Sequence, residues 1–133
     1  MPTNGEIGRI TCDCFNTREF DRSLQYLDEN IVWTEMHNGV VFRGHRQVIG
    51  EYEAWVKAFP DGHAEVQQII DAGDRVIVEM IVTGTNTGPS LGPNGTTIPP
   101  TGKFTRMALC DVMEFRNGKV VGGRTYATEM PEA

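Results

Sequence analysis

In the stretch LCDVMEF, residues 109–115, an aspartate interrupts an apolar run. If this is a strand, Met107, Leu109, Asp111, Met113 and Phe115 share one face, and Ala108, Cys110, Val112 and Glu114 the other. A carboxylate on the more apolar face is costly unless it is paired or neutral. Burial raises the pKa of such a group, and a second nearby carboxylate raises it further. Asp111 is therefore either an acid that can give up a proton inside a cavity, or a buried group bonded to the backbone or to Arg124. A second acid, Glu35 in NIVWTEMH, falls on the same strand face as Ile31, Trp33 and His37. Moving a proton next to a carbonyl needs a base near the carbon and a donor near the oxygen. Two inward-facing acids could supply both.

Other chemistry-bearing residues are fewer. Cys12, Cys14 and Cys110 make no disulfide framework, and no second cysteine pair completes a four-ligand metal site. They read as small buried hydrophobes in a reducing, cytoplasmic compartment. His37 could orient Glu35, while Trp33 and Trp55 read as cavity or core walls. No metal site is expected. The net charge of −6, with no basic cluster, argues against nucleic acid or an anionic membrane as partner. No apolar leader or membrane span is expected from the hydropathy.

The elements that must position these residues follow from the pattern. Asn4 is a candidate N-cap for a helix carrying Ile7, Ile10, Cys14 and Phe15 at helical spacing. NTREFDRSLQYLDEN gives a second short helix with Phe20, Leu24 and Leu27 on one side. NIVWTEMH alternates as a strand. From Gly44, residues Val48, Ile49, Tyr52, Trp55, Val56 and Phe59 trace a long amphipathic helix ended by the PDG at 60–62. Beyond it the period changes to 2. Two strands flank DAGD with Val76, Val78, Met80 and Val82 inward and Glu79 outward, and KFTRMALCDVMEF and VVGGRTYAT join through Asn117-Gly118. The Gly- and Pro-rich segment 87–102 reads as a loop over a pocket mouth, expected to gate access. With 133 residues the expectation is one α+β domain spanning 1–133. Residues 5–59 should supply three helices, and the antiparallel sheet should follow from about residue 63.

In order along the chain, FNTREFD followed by VW, then VFRGH, AFPD, AGDRV, GTNTG, PPTGK and DVMEFRNGKV resemble the SnoaL-like polyketide cyclases. These belong to the superfamily of nuclear transport factor 2 and ketosteroid isomerase. The resemblance implies a cone, in which a strongly curved antiparallel sheet wraps three helices around an apolar cavity. It puts Glu35 where ketosteroid isomerases keep a general-base aspartate, and Asp111 where they hold a neutral, hydrogen-bond-donating aspartic acid. It implies a pocket lined by Phe15, Trp33, His37, Trp55, Leu109, Met113 and Thr125, with no cofactor. It also marks departures. The isomerases' first-helix tyrosine falls near Thr11, the cyclases' catalytic aspartate on Thr125 and their helper histidine on Asp111. A further acid common in the family falls on Thr128.

The function so implied is acid/base isomerisation or cyclisation of a hydrophobic, carbonyl-bearing metabolite such as a polyketide, steroid or terpenoid. The alternatives are an epoxide hydrolase of the same fold, to which Arg106 or Arg124 could contribute, and a non-catalytic ligand-binding or dimerisation module. The expected partners are a small hydrophobic molecule and a second copy of the chain, paired through the outer face at Ala108, Cys110 and Val112.

Overall fold

The chain enters its first helix, α1 (Asn4–Thr17), through a capping box. Thr3 Oγ1 accepts from the Glu6 amide and the Glu6 carboxylate accepts from the Thr3 amide, both at 3.1 Å. Thr3 is thus the N-cap, one residue before the expected Asn4, whose side chain instead donates to the Gly73 carbonyl at 2.7 Å. The computed structural model describes residues 1–131, the side chain of Pro93 excepted. Arg18 closes α1 in the left-handed region with φ 65°. The second helix, α2 (Phe20–Ser23), is shorter than the pattern suggested. One turn of 3-10 helix, Leu24–Tyr26, leads straight into strand β1 (Leu27–Glu35), so Leu27 belongs to the sheet.

After β2 (Val41–Arg43), helix α3 (His45–Ala58) buries Val48 and Ile49 and ends before the expected turn. The remaining strands are β3 (His63–Asp71), β4 (Arg75–Thr85), the short β5 (Ser90–Leu91) and β6 (Thr97–Ile98), β7 (Phe104–Arg116) and β8 (Lys119–Glu129). Asn117 and Gly118, at φ 51° and 75°, make the two-residue turn between the last two strands. The main sheet has the order β2-β1-β8-β7-β4-β3, with β5 and β6 paired separately. The architecture is the expected α+β fold, with two amendments. Beside the expected strand in NIVWTEMH, a second strand, β2, also joins the sheet before residue 63, and β1 runs parallel to β8 in a sheet otherwise antiparallel. That parallel pair returns the early chain to the far side of the late hairpin.

The core sits between the sheet and the helices. Val76, Val78, Met80 and Val82 are buried on one face of β4, as period 2 demands, while Glu79 is exposed. Gly8 brings α1 close to this face, where a Cβ would stand 3.2 Å from Val76 and 3.3 Å from Val78. Among the described residues no helix is long and apolar enough to cross a membrane.

Segment 87–102 behaves differently from the expectation. Buried Asn86 ties it to the end of α3. Its amide donates to the carbonyls of Ala58 and Gly88 at 3.1 Å, and its oxygen accepts from the Thr101 amide at 2.7 Å and hydroxyl at 3.0 Å. The Gly88 amide donates to the Ala58 carbonyl at the helix end at 3.1 Å, and within the loop the Gly92 amide donates to the Thr96 carbonyl at 2.7 Å. No described residue of 87–102 lines the cavity described below, so it is not the gate that its composition suggested.

Candidate active site

Sheet register brings the two acids onto one line. Glu35 on β1 pairs with Thr125 on β8, and Thr125 pairs with Asp111 on β7. Register partners on adjacent strands present their side chains to the same face. With strands about 4.8 Å apart, the two acidic residues stand about 10 Å apart at the backbone. The row continues to Val78, which is fully buried, so its face is the one turned toward the helices.

Over this row lies a cavity of about 330 Å³. Asp111, Glu35, Trp33, His37, Phe15, Trp55, Leu109, Met113 and Thr125 all line it. Met80, Val82 and Met107 add apolar wall from the sheet. Three aromatic rings form a cluster at the helix side: Phe15 lies 5.9 Å from Tyr52 and 5.7 Å from Trp55 between ring centroids.

Asp111 is held by a directed chain of hydrogen bonds. Trp33 Nε1, which can only donate, gives its hydrogen to Thr125 Oγ1 at 2.8 Å. The Thr125 hydroxyl is then free to donate to Asp111 Oδ1 at 2.7 Å. Oδ1 is thereby committed as an acceptor, so any proton on the acid belongs on Oδ2. Gly123 makes room for this arrangement, since a Cβ there would stand 2.5 Å from the Trp33 ring. Burial pushes the Asp111 carboxyl up to about 6; the Thr125 hydrogen bond pulls down and the charge of Glu35 pushes up. Arg124, the other partner considered, pairs with Glu114 at 3.5 Å instead.

Glu35 is oriented by a neighbour that the pattern did not single out. Asn38 Nδ2 donates to Glu35 Oε1 at 3.0 Å, across a turn in which the Gly39 amide donates to the Glu35 carbonyl. His37 lines the cavity but has no hydrogen bond to Glu35. Thr11 also lines the cavity, with its hydroxyl donated to the Gly8 carbonyl at 2.8 Å.

A third carboxyl group went unread in the sequence. Glu51 projects from α3 into the same cavity, and burial followed by the charge of Glu35 raises it to about 7. Its signal was its position three residues after Val48 and four before Trp55, on the inward stripe of the helix. Cys12 lines the cavity too; burial, then the charge of Asp111, pushes its thiol up to about 12, which leaves it a poor nucleophile. Neither Arg106 nor Arg124 reaches the cavity, and no described lining residue is a lysine or arginine. Among the described residues no three His, Cys, Asp or Glu side chains gather as a metal site. The arrangement can bind an apolar molecule and exchange protons with it at two or three points.

Comparison with known proteins agrees with this architecture. The family model for SnoaL-like polyketide cyclase matches residues 6–131. Among solved structures, a protein of Jannaschia sp. CCS1 described as SnoaL-like polyketide cyclase superposes with a TM-score of 0.81 at 21% identity, covering 93% of this chain and 84% of that one. Bal32a, from a soil-derived mobile gene cassette, gives 0.76 at 21% identity over 93% and 88% of the two chains. IdmH of Streptomyces antibioticus, described as a polyketide cyclase, gives 0.75 at 20% identity over 96% and 92%. At such identities the likeness carries the fold alone. No curated protein matches the sequence. On the family model, the chain belongs to the SnoaL-like polyketide cyclase family.

Proposed function

We propose that this protein is an acid/base enzyme, an isomerase or cyclase, acting on a hydrophobic carbonyl-bearing metabolite without a cofactor. The observation that carries the reading is the row Glu35–Thr125–Asp111 facing one apolar cavity. In this reading Glu35 removes a proton from the carbon next to the carbonyl. Asp111, through Oδ2, donates a hydrogen bond or proton to the oxygen on which negative charge develops. A bound apolar substrate displaces water and desolvates the carboxyl further, which favours the protonated form required of the donor. Glu35 is then the base because Asn38 fixes its outer oxygen and its position at the strand end keeps it nearer water. The bond to the α-hydrogen breaks, an enol forms, and the same proton can return at a different carbon.

The cyclase position occupied by Thr125 takes a different part here. It sets which oxygen of Asp111 is free. The epoxide-hydrolase alternative needs an arginine between two acids, and the described lining offers none.

Deuterium exchange tests this reading without knowledge of the natural substrate. A panel of bicyclic ketones and β,γ-unsaturated ketones is incubated in deuterium oxide with protein, and label at the α-carbon is followed by NMR. Protein-accelerated exchange should fall by about two orders of magnitude or more in Asp111→Ala, and at least as far in Glu35→Gln. Exchange that is equal in wild type and both variants would refute the assignment.

A further inference from the structure

The proposed reaction uses two carboxyl groups, and the described lining of the cavity has three. Glu51 is the surplus one. It has no hydrogen bond or ion pair with any described residue. It stands on α3 beside Tyr52 and one turn before Trp55, and both rings line the cavity with it. The Tyr52 hydroxyl likewise has no hydrogen-bond partner among the described residues, although burial and then the charge of Asp111 hold its phenol well above the ordinary value. A carboxyl group that shares a cavity with aromatic rings, where no described lining residue is a lysine or arginine, is complementary to a cation once ionised and repels an anion.

We propose that the Glu51, Tyr52 and Trp55 wall is a subsite for a positively charged nitrogen. The substrate is then a hydrophobic molecule carrying a basic amine or quaternary ammonium group as well as its reacting carbonyl. This deepens the acid/base reading and rests on it, because the same cavity is taken as the reaction site. The cation neutralises Glu51 and leaves Glu35 and Asp111 to the chemistry. Carboxylate substrates are excluded by the same charges. The titratable groups that line the cavity with Glu51 are Glu35 on β1, His37 just beyond it, Asp111 on β7, Cys12 on α1 and Tyr52 on its own helix; of these, Glu35 acts on the Glu51 carboxyl through its charge. Between pH 6 and 8 the carboxyl groups gain negative charge, so affinity for a cation should rise across that interval.

Calorimetric titration with three naphthyl probes tests this. One carries a trimethylammonium group, the second is its neutral isostere with carbon in place of nitrogen, and the third is a neutral methyl ketone. The quaternary nitrogen holds its charge at every pH, so any pH dependence belongs to the protein. At pH 8 the cation should bind at least tenfold tighter than its isostere, and Glu51→Gln should remove most of that preference while leaving ketone affinity within about twofold. No preference for the cation, or a preference unchanged in Glu51→Gln, overturns the subsite. If the ketone binds in an Asp111-dependent way while the cation shows no preference, the subsite alone falls and the reaction site stands. Failure of all three probes to bind removes the reaction site and the subsite together.

Discussion

Replacing Asp111 by asparagine should stabilise the protein at neutral pH and do almost nothing near pH 4. The carboxyl is raised from 3.8 to about 6 by burial, so the folded protein binds this proton more tightly than the unfolded chain does. Raising the pH therefore costs the folded state. The stabilisation from the neutral acid is complete below the unfolded value near 4 and is lost as pH climbs through 6. A shift of about two units corresponds to about 3 kcal/mol at 1.36 kcal/mol per unit. Asparagine keeps the shape and keeps an oxygen to accept the Thr125 hydroxyl, but it does not ionise. Urea unfolding of wild type and Asp111→Asn, run in parallel from pH 4 to pH 8, isolates the effect of Asp111 and of its coupling to Glu35, because titrations not coupled to Asp111 cancel in the difference. Stability of the variant relative to wild type should rise by about 3 kcal/mol across the range. A flat difference, or one that falls with pH, would mean that Asp111 is an ordinary solvated or ion-paired carboxylate, and the donor assignment would go with it.

Three further outcomes are expected. Thr125→Val should raise the Asp111 pKa above its present value of about 6, because the Thr125 hydrogen bond is the contribution that lowers it, and it should strand the Trp33 indole N–H; carboxyl NMR and indole fluorescence would show both, and an unchanged Asp111 titration would count against the relay. Asn86→Ala should destabilise the fold by about 2–3 kcal/mol in thermal or urea unfolding, through loss of its buried bonds to Ala58, Gly88 and Thr101. It should leave affinity for cavity ligands within about twofold, and a large loss of affinity would restore the loop as a gate. The outer face at Ala108, Cys110 and Val112 should pair two copies of the chain, burying on the order of 1,200 Å² or more; sedimentation as a monomer at micromolar concentration would contradict that, and Val112→Glu should split the dimer.

Much of the site was legible because strands have a strict period. Alternation put Asp111 and Glu35 on strand faces with apolar companions, but the Asn117-Gly118 turn alone does not set the register at Asp111, because the β7–β8 pairing shifts by one between Phe115 and Glu114. Glu51 was harder to see. A helix of period 3.6 has a broad inward stripe with ambiguous edges, and a glutamate at that edge looks like surface until the opposite wall is known. Asn38 was hidden for a different reason: it lies beyond the strand, where alternation stops and a glycine turn at φ 75° carries it back toward Glu35. The parallel pairing of β1 with β8 joins segments some ninety residues apart. Local pattern cannot encode that closure, which is set by how the helices cover the sheet. Composition misread segment 87–102 because glycine and proline mark a loop without saying what it packs on. The decision lay with one buried side chain, Asn86.

The account stands or falls on Asp111 as a proton donor to a substrate oxygen, and carbon-13 NMR of its carboxyl group measures that directly. In the free protein the Asp111 resonance should titrate near 6, and with a naphthol bound as a mimic of the enolate oxygen it should stay protonated to higher pH. Titration near 4 in the free protein, or a pKa that falls when the naphthol binds, would contradict it.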